Sequence, residues 1–71
     1  MRDAERTEYF AGQLKTAIKE SNLSIKEIAA KSGLSEIIIM QWRQGKILPK
    51  IKSLVKLSKA LDKNVSWFID K

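Results

Sequence analysis

Residues 24 to 45 read Ser-Ile-Lys-Glu-Ile-Ala-Ala-Lys-Ser-Gly-Leu-Ser-Glu-Ile-Ile-Ile-Met-Gln-Trp-Arg-Gln-Gly, and their punctuation leaves this segment few ways to fold. Ser24 can cap a helix, and Glu27 three residues later completes a capping box. Ile28 and Ala29 follow, and Ala29 is small enough for another helix to cross close over it. Gly33 supplies a turn residue tolerant of positive φ. Ser35 can cap a second helix, which Ile39 and Trp42 anchor inward and Gly45 ends. The pattern predicts two short helices joined by a tight turn.

The flanking segments extend the same logic. Phe10, Leu14, Ala17 and Ile18 fall at i, i+4, i+7 and i+8, one apolar face of a first helix from about Thr7 to Glu20. Residues 1 to 6 are polar and either extend that helix or fray. Ser21-Asn22 end it, and Leu23 starts the capped second helix. The third helix is expected over roughly Ser35 to Gln44. A basic loop from Gly45 to Pro49 follows, with Pro49 placed just before a new helix. That fourth helix, about Lys50 to Leu61, is expected to bury Ile51, Leu54, Val55, Leu57 and Leu61, with Lys52, Lys56, Lys59 and Lys63 mostly on its other side. Asp62-Lys63-Asn64 forms a turn, and Asn64 can cap a last short helix carrying Val65, Trp67, Phe68 and Ile69. The Ile37-Ile38-Ile39 run has β propensity, but helix punctuation on both sides argues against a strand. The reading is all-α: residues 1–71 form a single domain of five short helices around one core.

Composition narrows the function. The chain carries no cysteine and no histidine, so disulfides and the usual zinc sites are excluded. The same absence, with no glycine-rich phosphate loop, removes the usual bases and nucleophiles of catalysis, and no enzyme or cofactor is expected. The longest aliphatic run, Ile37 to Met40, is far too short to span a membrane or form a signal-peptide core, so a cytoplasmic chain is expected. The net charge is +6, and it is unevenly placed. Charges balance over residues 1 to 20. Between residues 43 and 63, seven basic residues (Arg43, Lys46, Lys50, Lys52, Lys56, Lys59, Lys63) face one acid, Asp62. Such an asymmetry suits a surface that meets a polyanion; the plainer alternative is a solvated lysine face.

Four features together resemble the phage-repressor type of helix-turn-helix, the Cro and lambda-repressor-like family. They are Leu14 with Leu23-Ser24; Ile28-Ala29 with Gly33-Leu34-Ser35; Ile39-x-x-Trp42-x-x-Gly45 with Pro49; and Leu54-x-x-Leu57-x-x-Ala60-Leu61. They span residues 10 to 69. The resemblance implies a five-helix lambda-repressor-like domain, usually dimeric on palindromic double-stranded DNA, that regulates transcription from phage, prophage or mobile elements in a bacterial cell or phage-infected host, at the nucleoid. It also implies that the third helix enters the major groove and the next loop holds phosphates.

Three departures from the family pattern stand out. Many members begin helix 2 with a phosphate-clasping Gln, where this chain has Ile25. Many carry a buried Arg–Glu pair joining helices 1 and 3, where this chain has Ile18 and Arg43. The groove-facing set, commonly polar, here reads Glu36, Ile37, Met40, Gln41 and Gln44. Gln41 and Gln44 can each offer a donor and an acceptor to a base edge, Ile37 can touch a thymine methyl, and Glu36 can accept from a cytosine amino group. The expected base contacts are therefore Glu36, Ile37, Gln41 and Gln44. The expected phosphate contacts are Ser35 (which is first a helix cap), Arg43, Lys46, Lys50 and Lys52, with Lys56, Lys59 and Lys63 giving long-range attraction or solubility. Trp42 and Phe10 are assigned to the core. Trp67 and Phe68 are neighbours diverging by about 100°, so one of them is left for a homodimer interface expected at Val65, Trp67 and Phe68. The competing reading keeps the fold but makes it a protein-interaction module, antirepressor or antitoxin-like, docking on a regulatory protein partner through Ile37, Ile38 and Met40.

Overall fold

A short helix persists where its ends are satisfied and one face is covered, and among the described residues every helix of this chain buries one face in a common core. The computed structural model describes residues 3–70 and contains α1 (Asp3–Ser21), α2 (Ile25–Ser32), α3 (Glu36–Arg43), α4 (Ile51–Ala60) and α5 (Val65–Ile69). Met1, Arg2 and Lys71 lie outside the described residues. Of the two outcomes open for the polar N-terminal stretch, its described part extends the helix, which starts at Asp3 rather than Thr7. Ala4, Glu5 and Arg6 are good helix formers, and the Thr7 hydroxyl donates back to the Ala4 carbonyl at 2.8 Å.

The helix ends follow the sequence signals closely. Ser24 Oγ accepts from the Glu27 N–H at 3.1 Å, and the Glu27 carboxylate accepts from the Ser24 N–H at 3.0 Å, closing the capping box. Ser24 is extended, so Leu23 precedes α2 and packs against the core instead of starting the helix. Gly33, at φ 74°, ends α2 by donating its N–H to the Ala29 carbonyl at 2.9 Å. Asn22 and Asp62, at φ 59° and 57°, follow α1 and α4, where short polar side chains tolerate the left-handed conformation. Asn64 precedes α5, but its side chain makes no capping bond; its carbonyl accepts from the Trp67 N–H at 3.1 Å.

The covered faces meet in one cluster. Phe10, Leu14 and Ala17 of α1, Ile28 of α2, Ile39 and Trp42 of α3, Leu54 and Leu57 of α4, Leu61 just after α4, and Phe68 of α5 are all buried there. α1 packs on α3 and α5, α2 packs on α3 and α4, and α4 packs on α5. Ile51 is a correction: it is 63% exposed, because it lies in the first turn of α4, ahead of the first buried residue, Leu54. Of the aromatic neighbours, Phe68 enters the core, its ring centroid 5.7 Å from that of Phe10. Trp67 is left half-buried, edge to face on Phe68 at 5.1 Å. Two bonds clasp α5 to α1: Gln13 Nε2 donates to the Trp67 carbonyl at 2.8 Å, and Tyr9 Oη donates to the Asp70 carbonyl at 2.9 Å. Among the described residues no helix is long and apolar enough to cross a membrane, and no buried side-chain nitrogen or oxygen lacks a hydrogen-bond partner.

Three outcomes test this account of stability. Leu57→Ala should cost about 2–5 kcal/mol in urea denaturation, since Leu57 is fully buried. Gly33→Ala should cost about 1–2 kcal/mol for backbone reasons alone, because a Cβ built at Gly33 meets no atom within 4 Å. Glu27 is held below the ordinary glutamate range, first by the Ser24 N–H and then by the Ser24 hydroxyl. A carboxyl with a depressed folded-state pKa stabilises the fold above its unfolded pKa, and that contribution disappears as pH falls through the folded value. Melting temperature should therefore drop over the acid side of the glutamate range, and Glu27→Gln should flatten that part of the profile.

Candidate nucleic-acid interface

α3 has two faces of opposite character, and one follows from the other. Ile39 and Trp42 are 0% and 3% exposed, so the side of the helix turned about 180° from them must face outward. At about 100° per residue that side carries Ile37, Gln41 and Gln44, with Met40 and Glu36 beside them. Ile37 is 71% and Met40 39% exposed; Glu36 and Gln44 are exposed, and Gln41 is half-buried. The face therefore combines two amides, which can each give and receive a hydrogen bond, with an apolar strip.

The start of α3 is capped by a side chain that keeps a donor free. Ser35 Oγ accepts from the Ile38 N–H at 3.1 Å, which leaves its own O–H available as a donor. The first N–H groups of any helix lack intrahelical partners and carry the positive end of the helix dipole. Glu36 in the first turn suits that dipole but sets a negative charge beside the same site. At the other end, Gly45 at φ 79° turns the chain away, and the loop behind it presents exposed Lys46 and Lys50. Lys52 is exposed in the first turn of α4, while Arg43 is half-buried in the last turn of α3. A Cβ at Gly45 would sit 3.6 Å from the Ala11 Cβ, so α1 braces the place where this loop begins.

The departures in the pattern have structural counterparts. Ile25 is half-buried and packs against the core, so helix 2 begins with an apolar brace rather than a polar clasp. Ile18 packs there too. Lys63 differs from the expectation of a freely solvated charge. Its Nζ lies 2.7 Å from Glu20 Oε1 and 4.6 Å from the Trp67 ring centroid, so it ties the α4–α5 turn to the end of α1. Phe68 requires a second correction: it is 0% exposed, because it packs in the core against α1 and α4, and it has no surface to give a second chain.

Two surface features escaped sequence reasoning. Ile47 and Leu48 are 43% and 38% exposed in the basic loop, and Leu48 joins Arg6, Tyr9 and Ile69 in lining a groove of about 380 Å³. An apolar pair between Lys46 and Pro49, in a segment with no helical period, was the available signal. Among the described residues no cluster of acidic side chains is arranged to hold a metal ion.

Comparison with known proteins agrees with this geometry. A family model described as Helix-turn-helix matches residues 14–68. A Sinorhizobium fredii protein described as an uncharacterized HTH-type transcriptional regulator is 37% identical over 59 residues, covering 83% of this chain and 30% of the relative. The chain thus spans under a third of the length of that curated relative. No solved structure matches it. With the family match running from Leu14 to Phe68 over all five helices, this chain belongs to the helix-turn-helix family, in its Cro and lambda-repressor-like form.

Proposed function

We infer that this protein is a sequence-specific double-stranded DNA-binding regulator of transcription, a repressor of phage, prophage or mobile-element type. The observation that carries the reading is the division of α3: its buried face is locked by Ile39 and Trp42, and its outward face lies between an open serine-capped start and a lysine-bearing loop. The α3 start, with Ser35, and the cations Arg43, Lys46, Lys50 and Lys52 hold phosphates and set the register. Gln41, Gln44, Ile37 and Glu36 then meet base edges in the major groove. The description of the Sinorhizobium fredii relative as a transcriptional regulator supports the same assignment.

The protein acts as a homodimer on a two-fold related site, with Val65 and Trp67 of α5 in the interface. Both are half-buried, and the exposed Ile69 extends the apolar surface beside them. The apolar content of the α3 face favours one other reading, in which Ile37 and Met40 dock on a protein partner. The two readings separate experimentally, because only the DNA reading gives the glutamines a sequence-dependent role.

Selection from a pool of random duplexes across a salt series should enrich a palindromic motif with a steep salt slope. Gln41→Ala combined with Gln44→Ala should then cost about 1–3 kcal/mol per lost base contact and relax preference at those positions. Lys46→Ala should weaken all duplexes alike and reduce the salt slope by about 1. Salt-sensitive binding with no enriched motif would overturn sequence reading. A double glutamine variant that keeps full site preference would remove Gln41 and Gln44 from base reading.

A further inference from the structure

Ile37 is the most exposed large apolar side chain among the described residues, at 71%, and nothing in the fold accounts for it. It packs on no core residue, and its β-branch makes it a weaker helix former than the alanine or glutamate that would serve an exposed position. It sits one residue after the first residue of α3, the end of a recognition helix that reaches base edges. Met40, one turn further on and 39% exposed, gives it a flexible apolar neighbour, and Gln41 and Gln44 share its face.

The major groove offers such a side chain one complementary feature. Guanine presents two acceptors, adenine an acceptor and a donor, and cytosine a donor; an isoleucine held against any of these leaves them unpaired. Only the 5-methyl group of a pyrimidine is apolar on that edge. The surroundings favour DNA over a protein as the occupant: Ile37 lies between the Ser35 cap and the exposed Lys46 and Lys50, which complement phosphate charge and not an apolar partner.

Resting on the DNA-binding reading above, we propose that Ile37, backed by Met40, is a 5-methylpyrimidine reader, so that each half-site carries a thymine whose methyl group packs on Ile37. What Ile37 recognises is the methyl group, whichever pyrimidine bears it. Methylation of a cytosine placed at the same step therefore strengthens binding, so a site variant with cytosine there is bound in a way that responds to its 5-methylation.

The test uses the full chain and the duplex enriched by random selection, with each thymine replaced in turn by deoxyuridine, which lacks only the methyl group. One thymine per half-site should show about four-fold weaker binding on replacement, the effect of one buried methyl-sized group. Ile37→Ala, which removes no buried contact and should melt as the parent does, should bind the thymine and deoxyuridine duplexes equally. At the same step, 5-methylcytosine should bind more tightly than cytosine to the parent and equally to Ile37→Ala. Deoxyuridine tolerated at every position, or a deoxyuridine effect that survives Ile37→Ala, would overturn the methyl reader while leaving an enriched motif to support DNA binding itself. Failure to enrich any motif would overturn both.

Discussion

The burial of Ile39 and Trp42 is the contact on which the rest of this molecule depends. Both side chains lie in the common core with Phe10, Leu14 and Ile28, and full burial of an isoleucine alone is worth about 1.5–3 kcal/mol. A helix as short as α3 has little stability of its own, so this anchoring is what keeps it helical. It also fixes the rotation of α3 about its axis. Once two residues are committed inward, the helical period assigns Ile37, Gln41 and Gln44 to the opposite side without any further interaction to hold them there.

The remaining helices serve that placement. α1 packs against α3 and meets Gly45, where the chain leaves the helix, while α2 leads into α3 through Gly33 and the Ser35 cap. α4 and α5 close the core from behind. The Lys63–Glu20 ion pair and the Gln13 and Tyr9 bonds fasten the C-terminal helix to the first. The exposed Lys63–Glu20 pair is worth little; Phe68, packed on Phe10, carries most of the attachment. Ile18 and Ile25 fit the same pattern: both are apolar, pack against the core and need no buried polar partner.

The function inferred for the outward face draws on both ends of α3. Phosphate binding needs only positive charge and free N–H groups, which the Ser35 cap and the lysines of the following loop supply. Base reading needs groups whose chemistry distinguishes edges, and this face offers two amides, the Glu36 carboxylate and the apolar pair Ile37 and Met40. Under the proposed DNA reading, so few hydrogen-bonding groups leave more of the recognition to shape and apolar contact than to a dense polar code, which is why the pyrimidine methyl group carries weight there.

Much of this was legible in the residues themselves. The capping box at Ser24 and Glu27, the glycine at 33, the cap at Ser35 and the Ile39–Trp42 spacing are local signals, set by hydrogen bonds within one turn and by helical period, and the structure follows them. Helix 4 shows where local pattern stops: Ile51 has the right spacing for the core, but α4 begins before the core does, so Ile51 faces solvent. Trp67 and Phe68 show the same limit, since period requires that the neighbours diverge and only packing against Phe10 chooses which one turns inward. Lys63 reads as one more lysine until the fold brings Glu20 and Trp67 beside it. The sequence by itself determined where the helices lie and which side of α3 faces inward, because those depend on neighbours in the chain. Which side chains stay exposed at helix ends, which aromatic fills the core and which charge is tied down were decided by the tertiary structure, because each depends on what a distant segment brings against it.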